Sequence, residues 1–304
     1  MAKKRIAALD LGTNTFHLLI ADVFDNTFET IKEEQAHVKL GEGGINNGFI
    51  ADAPFKRGLD AIQHFKSEIE MFSVDVIRAT GTAALRSAKN GSSFIEQVKD
   101  STGIEIQIID GDLEASLIYT GVRASVSLDP SALIMDIGGG SVEFIFCNDQ
   151  TIFWKKSYPI GAAKLMARFH DTDPISTQNI EAINLHLSST LDELGSKIAE
   201  FSPGKFIGSA GAFETFAALV TEKFKGGQAV GNTFEFNRPQ LEVILKDIIA
   251  SNHQSREANP LIIPVRTDMI VVASVLTQYI LSLLPTKNIL LSRYALKEGL
   301  LFKE

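Results

Sequence analysis

The sequence predicts a duplicated α/β protein, and three observations carry that prediction. Ile6-Ala-Ala-Leu-Asp10-Leu-Gly12-Thr-Asn-Thr15-Phe-His-Leu-Leu-Ile20 reads as strand, glycine turn, strand. Ala132-Leu-Ile-Met-Asp136-Ile-Gly138-Gly-Gly-Ser141-Val-Glu-Phe-Ile-Phe146 reads the same way. Aligning Asp10 with Asp136 also aligns Gly12 with Gly138 and Thr15 with Ser141. Each hairpin is followed by a third strand candidate, residues 28–40 and 151–158, then by Gly41 or Gly161 and by helices. A long-range repeat of this kind marks two copies of one supersecondary unit.

The remaining elements follow from periodicity. After Pro54, which suits a first helical turn, Phe55, Leu59, Ile62, Phe65, Ile69 and Phe72 recur at helical spacing. Residues 74–79 and 104–109 are expected as strands, 84–99 as a loop passing into a helix, and 113–125 as a helix. In the second half Ile180, Ile183, Leu187, Leu191, Leu194 and Ile198 form one apolar helical stripe. A short strand at 205–207 runs into Gly208-Ser-Ala-Gly211. Further helices are expected at 241–250 and 267–284, a strand at 289–292 and a last helix at 295–302. Residues 224–235 contain Gly226, Gly227 and Gly231 and are expected to form a mobile loop. The expected domains are 1–125, joined by the C-terminal helix 293–304, and 126–292.

A chain of 304 residues has room for about two domains. Hydrophobic residues at 45% and charged residues at 22% are ordinary for a globular protein. One Cys, Cys147, excludes an internal disulfide, and its apolar strand suggests a buried small hydrophobe. Asp10 interrupts the N-terminal apolar run, so no signal peptide is expected. The longest later apolar runs, 269–276 and 279–284, are too short to span a bilayer. A soluble, cytoplasmic protein is therefore expected, with no membrane partner.

The net charge of −8 argues against a general nucleic-acid binder. An anionic ligand would need local neutralisation by backbone N–H groups, a few Lys or Arg side chains, or a divalent cation. A glycine turn between strands supplies N–H groups, and neighbouring hydroxyls add donors. Gly12-Thr13-Asn14-Thr15 and Gly138-Gly139-Gly140-Ser141 both have that make-up. Each follows an Asp on an apolar strand, and a buried Asp is costly unless partnered. Other phosphate signatures are missing: there is no G-x-x-x-x-G-K-[ST] and no G-x-G-x-x-G. The six histidines show no metal-ligand spacing, and His17, beside the first turn, reads as structural.

Six stretches then carry a resemblance. Asp10-Leu-Gly-Thr-Asn-Thr-Phe-His17, Ala79-Thr-Gly-Thr-Ala-Ala-Leu-Arg86 and Asp136-Ile-Gly-Gly-Gly-Ser-Val-Glu143 resemble motifs of the exopolyphosphatase / guanosine pentaphosphate phosphatase (Ppx/GppA) family. So do Asp110-Gly-Asp-Leu-Glu-Ala-Ser-Leu-Ile-Tyr-Thr-Gly-Val122, Ser157-Tyr-Pro-Ile-Gly-Ala-Ala-Lys-Leu165 and Ala295-Leu-Lys-Glu-Gly-Leu-Leu301. The matches keep the family order along essentially the whole chain. Leu113 replaces the first of two adjacent acids, Lys164 and Lys297 stand where the family often has Arg, and Thr replaces Ser in the first two motifs.

The resemblance implies a duplicated actin/Hsp70/sugar-kinase-like (ribonuclease H-like) fold with its active site in an interdomain cleft. It implies Glu114 as the catalytic acid group that takes a proton from water. Thr13, Asn14, Thr15, Arg86, Gly138, Gly139, Gly140 and Ser141 are the candidate phosphate-binding residues. Asp136 and Glu143, seven apart across a turn, are candidate ligands for Mg²⁺, with Asp10 as a third. The expected reaction is removal of the terminal phosphate of linear polyphosphate. Guanosine pentaphosphate or another nucleoside polyphosphate is the alternative substrate. A sugar- or acetate-type kinase and a non-enzymatic polyphosphate sensor are the further alternatives. A long polyanion would need a basic track, for which Lys164, Lys197, Lys205, Lys223, Lys225, Arg266 and Lys287 are candidates. A homodimer is left open.

Overall fold

Both copies of the Asp-Gly repeat fold into the same five-strand ladder in the computed structural model, which describes residues 3–25 and 27–303. The first ladder uses β1 (Lys4–Leu11), β2 (Phe16–Phe24), β3 (Thr27–Ala36), β4 (Val76–Gly81) and β5 (Ile106–Ile108). Its order is β3-β2-β1-β4-β5. β1 pairs antiparallel with β2 and parallel with β4, and β4 pairs parallel with β5. Parallel neighbours need a crossover. α1 (Asp52–Met71) precedes β4, and α2 (Ala83–Ser87) and α3 (Gly91–Thr102) lie between β4 and β5. α4 (Gly111–Arg123) ends this portion of the chain.

The second ladder repeats the pattern with β6 (Ala132–Ile137), β7 (Val142–Cys147), β8 (Ile152–Tyr158) and β9 (Lys205–Ser209). Between β8 and β9 come α5 (Ala162–Phe169), α6 (Thr177–Thr190) and α7 (Asp192–Phe201). After β9 come α8 (Ala210–Phe224), β10 (Gln228–Val230), β11 (Thr233–Phe236), α9 (Arg238–Ala250), α10 (His253–Glu257) and α11 (Met269–Leu283). β12 (Ile289–Ser292) and α12 (Leu296–Leu301) close the chain. The sheet order is β10-β11-β12-β9-β6-β7-β8. Read from β8, the first five strands run β8-β7-β6-β9-β12, with the same antiparallel and parallel pairings as the first ladder. The protein is thus the expected duplicated α/β fold.

The chain divides into two compact units. The first runs to Ala124 and also takes in Gly138–Gly140 and the segment from Tyr294; the second comprises Ser125–Ile137 and Ser141–Arg293. Each has its own apolar core. In the first, Leu9, Leu11, Phe16 and Leu18 of the hairpin pack with Ile62 and Phe65 of α1 and Phe94 of α3. In the second, Leu133, Met135, Phe144 and Phe146 pack with helical Leu187, Phe216, Leu245 and Leu276. Each such side chain contributes roughly 1.5–3 kcal/mol by leaving water. β6 and β7 are buried at every position. Burial also pushes the Cys147 thiol up to about 12, as suits a small hydrophobe. Among the described residues no helix is long and apolar enough to cross a membrane.

Two local expectations are corrected, and one helix is added. The expected mobile loop at 224–235 contains a hairpin, β10 with β11, in register Val230↔Thr233. Gly227 and Gly231 have positive φ, so these glycines serve backbone conformation. Phe234 and Phe236 alternate inward, and their rings lie 4.9 Å apart. The single stripe from Ile180 to Ile198 belongs to two helices, α6 and α7. The chain leaves helical geometry at Leu191, yet Leu187, Leu191 and Leu194 all stay buried. α8 follows β9 directly; no element is assigned there from the sequence, although its buried Phe213, Phe216, Ala217 and Val220 stand at helical spacing.

The β1–β2 ladder carries an ion pair with a pH signature. Arg5 and Asp22 are cross-strand partners. Arg5 Nε donates to Asp22 Oδ1 at 2.8 Å and Nη2 to Oδ2 at 3.1 Å. The guanidinium holds the Asp22 carboxyl at about 2, below its ordinary 3.8. A depressed acid stabilises the fold fully above its unfolded value and loses that contribution as pH falls through the folded one. Asp22→Asn should therefore lower the urea midpoint at pH 7. The gap to wild type should narrow as pH falls from 3.8 toward 2. A gap independent of pH in urea titrations would remove the ion pair from the account.

Candidate active site

The β1–β2 turn, Gly12 to Thr15, is built from the backbone. Gly12 N–H donates to Thr15 O at 3.2 Å, and a Cβ on Gly12 would come within 2.9 Å of that same oxygen. The carbonyls of Thr13 and Asn14 accept from Gly41 N (3.1 Å) and Lys39 N (2.8 Å). The turn is therefore fastened by the segment that follows β3. Thr13 is buried, and Thr15 Oγ1 lies 3.5 Å from His37 Nδ1.

The second turn, Gly138–Gly140, is grouped with the first unit, and its glycines explain why. A Cβ on Gly139 would collide with Asn14 and come within 3.0 Å of Thr13 Cβ. One on Gly140 would stand 2.7 Å from both Ala83 Cβ and Thr13 Oγ1. Real Cβ atoms have no room at such separations. The bare backbone of Gly139 and Gly140 thus packs against the side chains of Thr13 and Asn14 from the first turn. Ser141, which follows, is buried just before β7.

Arg86 and Glu114 come from separate elements and meet. Arg86 lies in α2, whose first residue is the Ala83 that abuts Gly140. Arg86 Nη1 donates to Ile109 O at 2.8 Å and to Glu114 Oε2 at 3.0 Å. Glu114 is buried and Arg86 partly so, at 8% and 28% side-chain exposure. Glu114 sits in the first turn of α4, where an acid often serves only the helix dipole. Here Asp110 caps that helix, accepting from Leu113 N at 2.8 Å. Glu114 is instead turned to Arg86. Arg86 Nη2 and Nε make no hydrogen bond among the described residues. A guanidinium in this state grips with one side and presents the other, which suits phosphate oxygens.

Asp136 and Glu143 are register partners on β6 and β7, so their side chains share one face of the sheet. Both are buried, at 8% and 1% exposure. Ser209 Oγ donates to Asp136 Oδ2 at 2.6 Å, and Ser157 Oγ donates to Glu143 Oε1 at 2.6 Å. Two carboxylates directly opposite each other repel. An all-oxygen pair of carboxyl groups on central strands fits a small hard cation such as Mg²⁺. Asp10, the third candidate, has His17 as its antiparallel partner and Thr80 as its parallel one.

Ser157 and Ser209 were not among the sequence candidates; only the strand register reveals them. Among the described residues one His/Glu group, Glu34, His64 and Glu68, has ligand atoms within 4.8 Å of one another. Lys32 pairs with both acids at 3.4 and 3.1 Å, which makes it a surface ion network. Of the basic-track candidates, Lys197, Lys223, Lys225 and Arg266 are paired with Glu200, Asp247, Glu222 and Glu214. Burial also lowers the Arg266 pKa.

Comparison with known proteins adds an independent line. A model of the Ppx/GppA phosphatase family matches residues 19–304. The chain is similar to a solved exopolyphosphatase from Cytophaga hutchinsonii, with 37% identity and a TM-score of 0.94, over 98% of this chain and 97% of that one. Its fold is also similar to that of the Aquifex aeolicus PPX-GPPA enzyme, with a TM-score of 0.81 at 22% identity over 100% of both chains. It is 28% identical over 214 residues to a guanosine-5'-triphosphate,3'-diphosphate pyrophosphatase of Pseudoalteromonas atlantica. That match takes in 70% of this chain and 42% of the relative, so the chain spans less than half of its length.

The contact between the two turns has a direct test. Gly140→Ala places a methyl where 2.7 Å is available. Overpacking of this kind costs typically 1–3 kcal/mol. The variant should fold, with a lower melting temperature, and should bind orthophosphate more weakly than wild type in calorimetry. Unchanged stability and phosphate affinity would show that the turns tolerate a side chain between them.

Proposed function

The chain belongs to the Ppx/GppA phosphatase family, a family of phosphoanhydride hydrolases, and we propose that this member removes the terminal phosphoryl group of linear inorganic polyphosphate, releasing orthophosphate. The observation that carries this reading is the Arg86–Glu114 pair, 3.0 Å apart and beside the Gly138–Gly140 turn's contact with Ala83. It joins a cation suited to a phosphoryl group with a carboxylate suited to water.

In this reading the turn amides, the hydroxyls of Thr13, Thr15 and Ser141, Asn14 and Arg86 hold the terminal phosphoryl group. Donors aimed at developing charge stabilise the transition state more than the ground state. Water attacks the terminal phosphorus in line with the bridging oxygen. Glu114 accepts the proton from that water as the bond from phosphorus to the bridging oxygen breaks. The electron pair leaves on the shortened chain, and the terminal group departs as orthophosphate. Asp136 and Glu143, which flank the Gly138 turn, would hold Mg²⁺; when bound, it neutralises phosphate charge. Arg86 also screens Glu114 from a polyanion that would otherwise repel it.

Guanosine pentaphosphate is the second reading, favoured by the name of the Pseudoalteromonas relative. The chemistry is the same, and a substrate panel separates the two. With Mg²⁺ present, phosphate release should be faster from long-chain polyphosphate than from guanosine pentaphosphate, ATP or pyrophosphate. Preference for the pentaphosphate would exchange the two readings. Absence of release from any of them would remove both.

Glu114→Gln keeps the shape but loses the base. It should lower kcat by roughly 10²–10⁴-fold with little change in KM. Arg86→Ala should instead raise KM, by the roughly 1.5–3 kcal/mol of a charged hydrogen bond. Near-normal turnover in the Gln variant would reduce Glu114 to a helix-start acid.

A further inference from the structure

We propose that Ser209 and Ser157 are positioning residues that clamp the Asp136–Glu143 pair for a divalent cation; the inference rests on the reading of that pair as the cation ligands. Four residues stand level across four adjacent strands. Ser157 on β8 is the partner of Glu143 on β7, Glu143 of Asp136 on β6, and Asp136 of Ser209 on β9. The row is hydroxyl, carboxylate, carboxylate, hydroxyl. Each outer hydroxyl donates at 2.6 Å to one oxygen of the carboxylate beside it. Such a bond favours the ionised acid and fixes the plane of its carboxyl group.

Two further observations separate this row from ordinary sheet packing. Ser209 occupies the N-cap of α8, where a serine hydroxyl usually accepts from the helix. It makes no such cap bond. Its hydroxyl, in a residue with no exposed surface, goes to Asp136 instead. The duplicated ladder supplies the second. At the matching places β3, β2, β1 and β4 carry Gln35, His17, Asp10 and Thr80. Thr80, the counterpart of Ser209, turns its hydroxyl to Leu9 O at 3.4 Å. The first copy builds the same sheet with a different row. The clamped carboxylate pair is therefore a property of the second copy and not a requirement of the fold. Hydroxyls that orient metal ligands are typically worth 10–100-fold in metal affinity.

The test is Mn²⁺ binding to the full chain, followed by electron paramagnetic resonance without substrate. Ser209→Ala and Ser157→Ala should each weaken Mn²⁺ binding by roughly 10–100-fold. Ser157→Thr, which restores a hydroxyl on a half-buried strand, should bind as wild type does. Circular dichroism without metal should be the same for all. Asp136→Asn serves as the reference. If it abolishes binding while both alanine variants bind normally, the cation reading stands and the clamp is overturned. If Asp136→Asn itself binds Mn²⁺ like wild type, the cation reading falls and the inference with it. Should Ser209→Ala fail to fold, the Ser157 pair of variants still decides.

Discussion

The candidate site depends on a steric constraint: little room is left for side chains at Gly139 and Gly140. Thr13, Asn14 and Ala83 stand where the Cβ atoms of Gly139 and Gly140 would be. That closeness brings the backbone of Gly139 and Gly140 against the side chains of Thr13 and Asn14. It also ties the turn to Ala83, from which α2 proceeds to Arg86. The strands on either side of the turn are fully buried, so the turn is carried on a rigid base. Glycine here costs extra conformational entropy on folding and permits an approach that no other residue allows.

A second constraint holds Glu114. Its helix, α4, meets α12 backbone to backbone: a Cβ on Gly121 would strike the Ala295 carbonyl, and one on Gly299 the Leu117 carbonyl. α12 is itself fastened. Arg78 Nη1 donates to Leu300 O and Leu301 O at 2.8 and 2.9 Å, satisfying carbonyls at its C-terminal end. Glu298 accepts from Ala295 N at 2.8 Å, and burial pushes its carboxyl up from the ordinary value. The tail motif Ala295–Leu301 thus has a physical reading. It packs against the helix that carries Glu114 and so helps to fix the Arg86–Glu114 pair.

Much of this is legible in the sequence because it is local or periodic. The repeated Asp-x-Gly signature exposes the duplication, and the two ladders indeed share one strand order. Glu114 and Arg86 stand out by family pattern, and their pairing needs only the fold. The hairpin at 228–236 is hidden because its three nearby glycines suggest mobility. Its inward Phe234 and Phe236 nevertheless alternate at the period of a strand. The break at Leu191 is invisible because the apolar stripe runs on through it. Ser157 and Ser209 lie beyond sequence reasoning for a different reason. They are 52 residues apart, and each gains its meaning from the register of a neighbouring strand, which no local pattern encodes.

The most direct measurement is a crystal structure of the Glu114→Gln variant with a short linear polyphosphate. The account predicts the terminal phosphate seated against Gly139 and Gly140, with Arg86 turned to its oxygens. The amide that replaces the Glu114 carboxylate should face the side of the terminal phosphorus from which water attacks. A phosphate bound away from these turns, with Arg86 still held at Ile109 O and position 114 and touching no phosphate oxygen, would contradict it.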